Sequence, residues 1–325
     1  PTPLNPWDEV DRRAPGGSSS GAGVSLSEGS AYLALGTDTA GSVRIPAAWT
    51  GNVGLKTAAG RWSTEGIVPL SPTLDTAGVL ARTVDDLVVA FGAIDPDGPL
   101  PGPPAELDRL RLGRCDTLLF EGCSPGVVEA VDDALAQLAD LGVELRPLPL
   151  PELEPTWDLF QQGGPVAAEL HQFLSTELPE CIATLDPNVA ARLGDAARLP
   201  AAEIAARRAL MVELAAGAAE RLREVDALVC PTVANTPPRL ADVASPAGYG
   251  PQNLLCLRNT AMGSYLGWCA VTLPVGRDGA GMPVGLQLAA PGFQEPRLLA
   301  IAQSIERALG DGRARLGVPP HQRPE

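Results

Sequence analysis

Two serines, Ser18 and Ser42, stand in glycine-dense turns: Gly16-Gly17-Ser18-Ser19-Ser20-Gly21 and Gly36-Thr37-Asp38-Thr39-Ala40-Gly41-Ser42. Glycine permits positive φ and close backbone approach, so successive N–H groups in such a turn can converge and hold an anion. A serine inside that nest is a candidate nucleophile, because the same N–H groups would stabilise the oxyanion its attack creates. The hydroxyl alone is weak and needs a base. The chain has two histidines, His171 within a helical stretch and His321 near its end, which speaks against a Ser-His-Asp triad. No G-x-S-x-G elbow surrounds Ser42. A serine–lysine pair would have to draw on the one lysine of the chain, Lys56. On shape alone the turns also read as plain connections. A phosphate loop is a third reading, disfavoured because no lysine follows these glycines as the Walker pattern requires.

The hydrophobic pattern predicts the elements that hold these turns. Residues 1–17 read as an extended lead-in, 20–31 as a helix opening at the first serine turn, and 32–35 as a short buried strand ending in Gly36. A second strand is expected near 53–55. An amphipathic helix is expected over 83–94, with Thr83 as N-cap and two aspartates in its first turn. After a Pro/Gly-rich connection over 95–104, a strand is expected at 109–113. A helix follows over 124–141, capped by Ser124 and stopped by Gly142, and then a strand at 143–148. Helices with loops fill 151–200, and an Ala-rich helix fills 201–224. A buried strand at 227–230 leads into a Pro/Gly-rich loop over 233–252, long enough to shape a pocket. A helix at 253–266, strands at 269–274 and 284–289, and a helix at 295–309 complete the pattern, with a mobile tail from Gly310. The alternation of strand, helix and strand favours an α/β architecture with a substantially parallel sheet.

The chain has 325 residues, of which 45% are hydrophobic, enough for one large α/β domain or two smaller ones. Without an internal repeat or a linker, the expectation is a single domain over 1–325. A net charge of −15 argues against a nucleic-acid surface, which should be basic. No apolar run nears the roughly 18 residues of a membrane span. Six cysteines without a C-x-x-C pair, and only two histidines, point to no metal and to reduced, mostly buried thiols in a cytoplasmic setting.

Several stretches carry a more specific resemblance: PGGSSSG at 15–21, LGTDTAGSVRIPAAWTGNVGLKT at 35–57, GRWSTEGIVPLSPTLDTAG at 60–78 and TVDDL at 83–87. DALVCPT at 226–232, the run at 267–276 and PVGLQL at 283–288 continue it. In these the chain resembles the amidase signature family. The resemblance implies an α/β fold, a large mixed sheet covered by helices on both faces. It also implies hydrolysis of a small-molecule amide, without a cofactor, through a serine–cis-serine–lysine triad and an acyl-enzyme. Carried over, Ser42 matches the nucleophile. Ser18 matches the bridging serine, whose preceding peptide is cis in the family. Thr39, Ala40, Gly41 and Ser42 match the oxyanion loop, with Ala40 in place of the commoner glycine. Asp38, Arg44 and Ser19 match supporting positions, with Asp38 and Arg44 read as a loop clamp.

The family lysine lies well upstream of the first serine turn, before Pro1 of this sequence. Lys56 falls in the later VGLK segment, where a structural task is expected. The resemblance therefore implies a domain lacking its N-terminal segment, with impaired activity and exposed core surface that a homo-oligomer would cover. One alternative is the amidase component of a glutamyl-tRNA amidotransferase, against which stands Ile45, where such components usually carry glutamine. Another is a non-catalytic protein that kept the fold.

Overall fold

The computed structural model describes residues 2–193 and 199–320. In chain order the elements are α1 (Ser20–Ser27), β1 (Leu33–Asp38), α2 (Arg44–Thr50), β2 (Val53–Lys56), β3 (Thr76–Ala81) and α3 (Val84–Ile94). They continue with β4 (Arg111–Arg114), α4 (Val127–Asp140), β5 (Glu144–Pro147), α5 (Leu153–Gln161), α6 (Val166–Glu177), α7 (Pro187–Leu193) and α8 (Ala201–Leu222). The last are β6 (Ala227–Pro231), α9 (Pro246–Tyr265), β7 (Trp268–Arg277), β8 (Pro283–Pro291), α10 (Glu295–Leu309) and α11 (Gly312–Leu316).

Eight strands form one sheet in the order β1-β3-β2-β7-β8-β6-β4-β5. The expectation of a substantially parallel sheet is corrected. Only β6-β4 and β4-β5 run parallel, and the five pairings from β1 to β6 are antiparallel. The strand-helix-strand rhythm holds only around α4, where a crossover joins parallel neighbours. The β7-β8 hairpin inserts in the middle and reverses direction. The architecture is the mixed α/β sheet that the resemblance implies.

The helix α2 is the hub of the site, and all seven of its residues are buried. It lies close on the sheet because the strands beneath it are stripped of side chains. A Cβ on Gly54 would stand 2.8 Å from the Ala47 Cβ, and one on Gly285 2.8 Å from the Ala48 Cβ. The Gly54→Ala substitution is therefore expected to cost about 1–3 kcal/mol by overpacking, read as a lower urea midpoint. The large core, including Phe91, Leu112, Leu135, Trp268 and Leu298, joins the sheet to α3, α4 and α10.

Four local expectations change. The 32–35 strand is not buried: β1 is a sheet edge, pairs only with β3, and leaves Tyr32, Leu33 and Leu35 exposed. Ser124 does not cap α4, which begins after Gly126 in the left-handed region. The Ser124 hydroxyl instead accepts the N–H of Thr236 at 3.0 Å. The loop expected over 233–252 is shorter, because Ser245 caps α9 by accepting the Gly248 N–H and Pro246 occupies the first turn. The segment from Gly310, read as a mobile tail, carries α11 instead. Asp311 caps that helix, and its Leu316 packs against Trp7 and Met282. His321 lies outside the described residues. The helices at 83–94 and 295–309 form as read: the Thr83 hydroxyl accepts the Asp86 N–H at 3.1 Å, satisfying one orphan donor of α3.

Candidate active site

The two glycine turns meet. The Ser19 N–H donates to the Ser42 carbonyl at 3.1 Å, tying the first turn to the second. The Gly17–Ser18 peptide bond is cis. Ser18 is exposed and Ser42 half-buried, and both line one cavity of about 780 Å³. The Ser19 hydroxyl reaches the Thr37 carbonyl only at 3.5 Å, so Ser19 acts mainly through its backbone.

The second turn is held from within by a fully buried ion pair. One Asp38 oxygen accepts the Gly41 N–H at 2.7 Å and Arg44 Nη2 at 2.9 Å. The other accepts Arg44 Nε at 3.0 Å and the Val43 N–H at 3.2 Å. Burial alone would raise the Asp38 pKa, but the Arg44 guanidinium and the Val43 N–H hold it below its ordinary value. Arg44 also donates to Gln287 Oε1 at 2.8 Å and to Ser264 Oγ at 3.0 Å, which anchors the turn to β8 and α9. Glycine is required at 41, where φ is +143° and any Cβ would collide with Thr260. The Thr260 hydroxyl in turn donates to the Ala40 carbonyl at 2.7 Å.

This clamp divides the loop's donors. The Gly41 N–H is turned to Asp38, and Gly41 does not line the cavity. Gly41 therefore drops out of the expected set of oxyanion donors. Thr39, Ala40 and Ser42 do line the cavity, and among the described residues their N–H groups donate to no protein atom.

A second buried carboxylate reaches the loop from outside the predicted set. Asp75 accepts the Thr39 hydroxyl at 2.5 Å and the N–H groups of Leu70 and Ser71 at 2.8 and 2.9 Å. Beyond it, Glu169 on α6 accepts the Ser71 hydroxyl at 2.7 Å, the Thr73 hydroxyl at 2.5 Å and Arg208 Nη2 at 2.6 Å. Burial pushes the Glu169 pKa up, but these donors outweigh it and leave it below the ordinary value. Asp75 stands in the SPTLDTAG stretch between Leu74 and Thr76, and an acid in that short apolar and hydroxyl-bearing run was its only sequence signal. Glu169 had none. Gln287 was signalled as the one polar side chain in the PVGLQL run.

Lys56 is buried but does not line the cavity. Its Nζ donates to the carbonyls of Thr57 and Trp268 at 2.8 and 2.9 Å. Burial, with Arg44 nearby, lowers its pKa to about 8 from 10.5. Between these values the unfolded chain binds more protons than the folded one, so Lys56 makes stability rise with pH from about 8 to 10.5. Comparing Tm for the wild type and Lys56→Met across this window should show the wild type gaining on the variant as pH rises. His171 on α6 contacts Ser175 at 3.5 Å and does not line the cavity.

The family model described as Amidase matches residues 1–299. The chain belongs to the amidase family. It is 49% identical over 320 residues to a 2-amino-5-chloromuconic acid deaminase of Comamonas testosteroni, covering 98% of this chain and 69% of that protein. It is 33% identical to a glutamyl-tRNA(Gln) amidotransferase component of Synechococcus sp. (strain RCC307), covering 94% of this chain and 69% of the relative. A crystal structure of an amidase superposes with a TM-score of 0.83 at 28% identity, covering 94% of this chain and 69% of that one. This amidase-family chain is thus a hydrolase of carbon–nitrogen bonds. Among its described residues no helix is long and apolar enough to cross a membrane.

Proposed function

We propose that this chain cleaves a small amide through an acyl-enzyme on Ser42. The observation that carries the reading is one cavity wall holding Ser42, Ser18 and the unpartnered N–H groups of Thr39, Ala40 and Ser42. Ser42 Oγ attacks the carbonyl carbon and passes its proton to Ser18 Oγ, whose own proton moves to the base. By family resemblance that base is a lysine, and none lines the cavity among the described residues. The oxyanion rests on the free N–H groups, each such donor contributing about 2.7–4 kcal/mol. The proton returns through Ser18 to the leaving amine, and water then cleaves the ester to the carboxylic acid. Six free thiols support a reducing, cytoplasmic setting.

The reading is tested by treating the protein with a fluorophosphonate and mapping the adduct by peptide mass spectrometry. The adduct is expected on Ser42, and an adduct on any other residue refutes the assignment.

The 49% identity to the Comamonas protein favours a second reading of the substrate. On it, the bond cleaved is the carbon–nitrogen bond of an amino-substituted muconic acid. Ammonia release from that acid measures it directly.

A further inference from the structure

The free N–H of Thr39 belongs to a residue that is held by its own side chain. Its hydroxyl donates to Asp75 Oδ1 at 2.5 Å, which fixes the rotamer and with it the place of the backbone. The neighbouring anchors of the turn run to other elements. The Ala40 carbonyl accepts the Thr260 hydroxyl of α9, and the Gly41 N–H donates to Asp38 of β1. Asp75 is oriented through its second oxygen, which accepts the N–H groups of Leu70 and Ser71 at 2.8 and 2.9 Å. The turn that carries those groups closes on itself. Its Ser71 carbonyl accepts the N–H groups of Leu74 and Asp75 at 2.9 and 2.8 Å.

Glu169 of α6 gathers this turn from behind. Its Oε2 accepts the Ser71 hydroxyl at 2.7 Å and the Thr73 N–H at 3.2 Å. Its Oε1 accepts the Thr73 hydroxyl at 2.5 Å and Arg208 Nε and Nη2 at 3.1 and 2.6 Å. The Glu169 carboxylate is buried, and its partner Arg208 on α8 is not. A buried ion pair contributes little net stability over apolar groups of similar volume, so what this one supplies is a fixed arrangement. On either side of Glu169, α6 presents Val166, Ala167 and Leu170 to the cavity, and Leu70 of the turn stands on the same wall. Leu74 packs against Leu159, Tyr265 and Val166. Helix, turn and serine loop are thus one connected body, from the cavity wall to Thr39.

We propose that Glu169 is a positioning residue for the reaction: acting through Ser71 and Asp75, it sets the place of the Thr39 N–H at the oxyanion. The proposal rests on the reading of Ser42 as the acylated residue, with Thr39 among the oxyanion donors. Glu169 does not line the cavity and touches no reacting atom. Its effect falls on the bond-making step, because oxyanion donors act on charge that develops only in the transition state. A misplacement of about 1 Å in such a group costs up to about 10²-fold in rate.

The test follows fluorophosphonate labelling of Ser42 in the full chain against inhibitor concentration. This separates the maximal rate, kinact, from the half-saturating concentration, KI, and the final amplitude gives the folded fraction. Glu169→Gln keeps the size of the side chain, replaces one acceptor oxygen by a donor and removes the charge facing Arg208. It is expected to lower kinact at least about tenfold while KI changes less than about twofold. Thr39→Val is nearly isosteric and lacks the donor, so it should lower kinact in the same way, and Thr39→Ser should restore it. The double variant Thr39→Val/Glu169→Gln decides the route. If Glu169 acts through Thr39, the double variant is no slower than Thr39→Val alone. Additive losses overturn the proposal, and so does a Glu169→Gln protein that labels at the wild-type kinact, whatever its Tm. If Glu169→Gln does not fold, Ser71→Ala cuts one link of the same chain and is read by the same criteria. A wild type that does not label at Ser42 marks failure of the underlying reading. A wild type that labels, beside an unchanged kinact in Glu169→Gln, marks failure of the positioning role alone.

Discussion

Replacing Ser42 by alanine is expected to abolish fluorophosphonate labelling and to lower amide hydrolysis about 10⁴–10⁶-fold, with Tm unchanged. The Ser42 side chain sits half-buried on a cavity wall, and among the described residues no hydrogen bond of its hydroxyl holds the fold. The anchoring contact of this residue is its carbonyl, which accepts the Ser19 N–H and survives the substitution. Ser18→Ala should also keep the fold, because that side chain is exposed, and should slow labelling, because Ser18 Oγ is the first acceptor of the Ser42 proton in the proposed relay. Ser19→Ala is the control: its long contact to the Thr37 carbonyl predicts only a small effect. Labelling that persists in Ser42→Ala would refute the nucleophile, and equal rates in Ser18→Ala would remove Ser18 from the relay.

Asp38→Ala should be the most destabilising single change near the site, at about 3–5 kcal/mol, because it strands the fully buried Arg44 charge. That corresponds to a fall in Tm on the order of 10 °C. It also releases the Gly41, Val43 and Arg44 N–H groups that Asp38 holds in position. The double variant Asp38→Leu/Arg44→Met should recover part of the stability, since a buried ion pair contributes little over apolar groups of similar volume. It should not recover labelling, because nothing then clamps the turn. Recovery of both would show that Asp38 matters only for charge balance. The sign of the pH dependence follows from the depressed pKa. The advantage of the wild type over Asp38→Ala is fully present above the ordinary value of 3.8 and is lost as pH falls through the lower folded value. Urea midpoints for both proteins in acid check it.

Elements with strong local signals were legible. The helices at 83–94 and 295–309 announce themselves through caps and period, and Gly142 through its αL stop at φ +99°. Strand direction was not legible. β7 and β8 read as two strands joined by a Gly-rich connection, and nothing in either says that the pair will insert between β2 and β6. Burial of β1 was misread because an apolar run looks the same at a sheet edge as in its centre. At the site, the two serines and the Asp38–Arg44 pair were visible because each stands in a short local motif, Ser18 in the first glycine turn and Asp38, Ser42 and Arg44 in the second. Asp75 reaches the same loop from 36 residues away by numbering, Glu169 buttresses Ser71 and Thr73 beside it from 94 residues further on, and a single sequence holds no record of such contacts.

By itself, the sequence determined the chemistry on offer: two serines in glycine turns, a loop that only glycine can close at 41, and a family. Those are properties of short runs, where φ preference and residue type act locally. The tertiary structure alone decided how that chemistry is arranged. It turned the Gly41 N–H inward to Asp38 and left Thr39, Ala40 and Ser42 as the free donors. It set Lys56 among backbone carbonyls and off the cavity wall that holds the serines. Hydrogen-bond direction and the lining of a cavity depend on which distant segments pack together, and packing is a property of the whole chain.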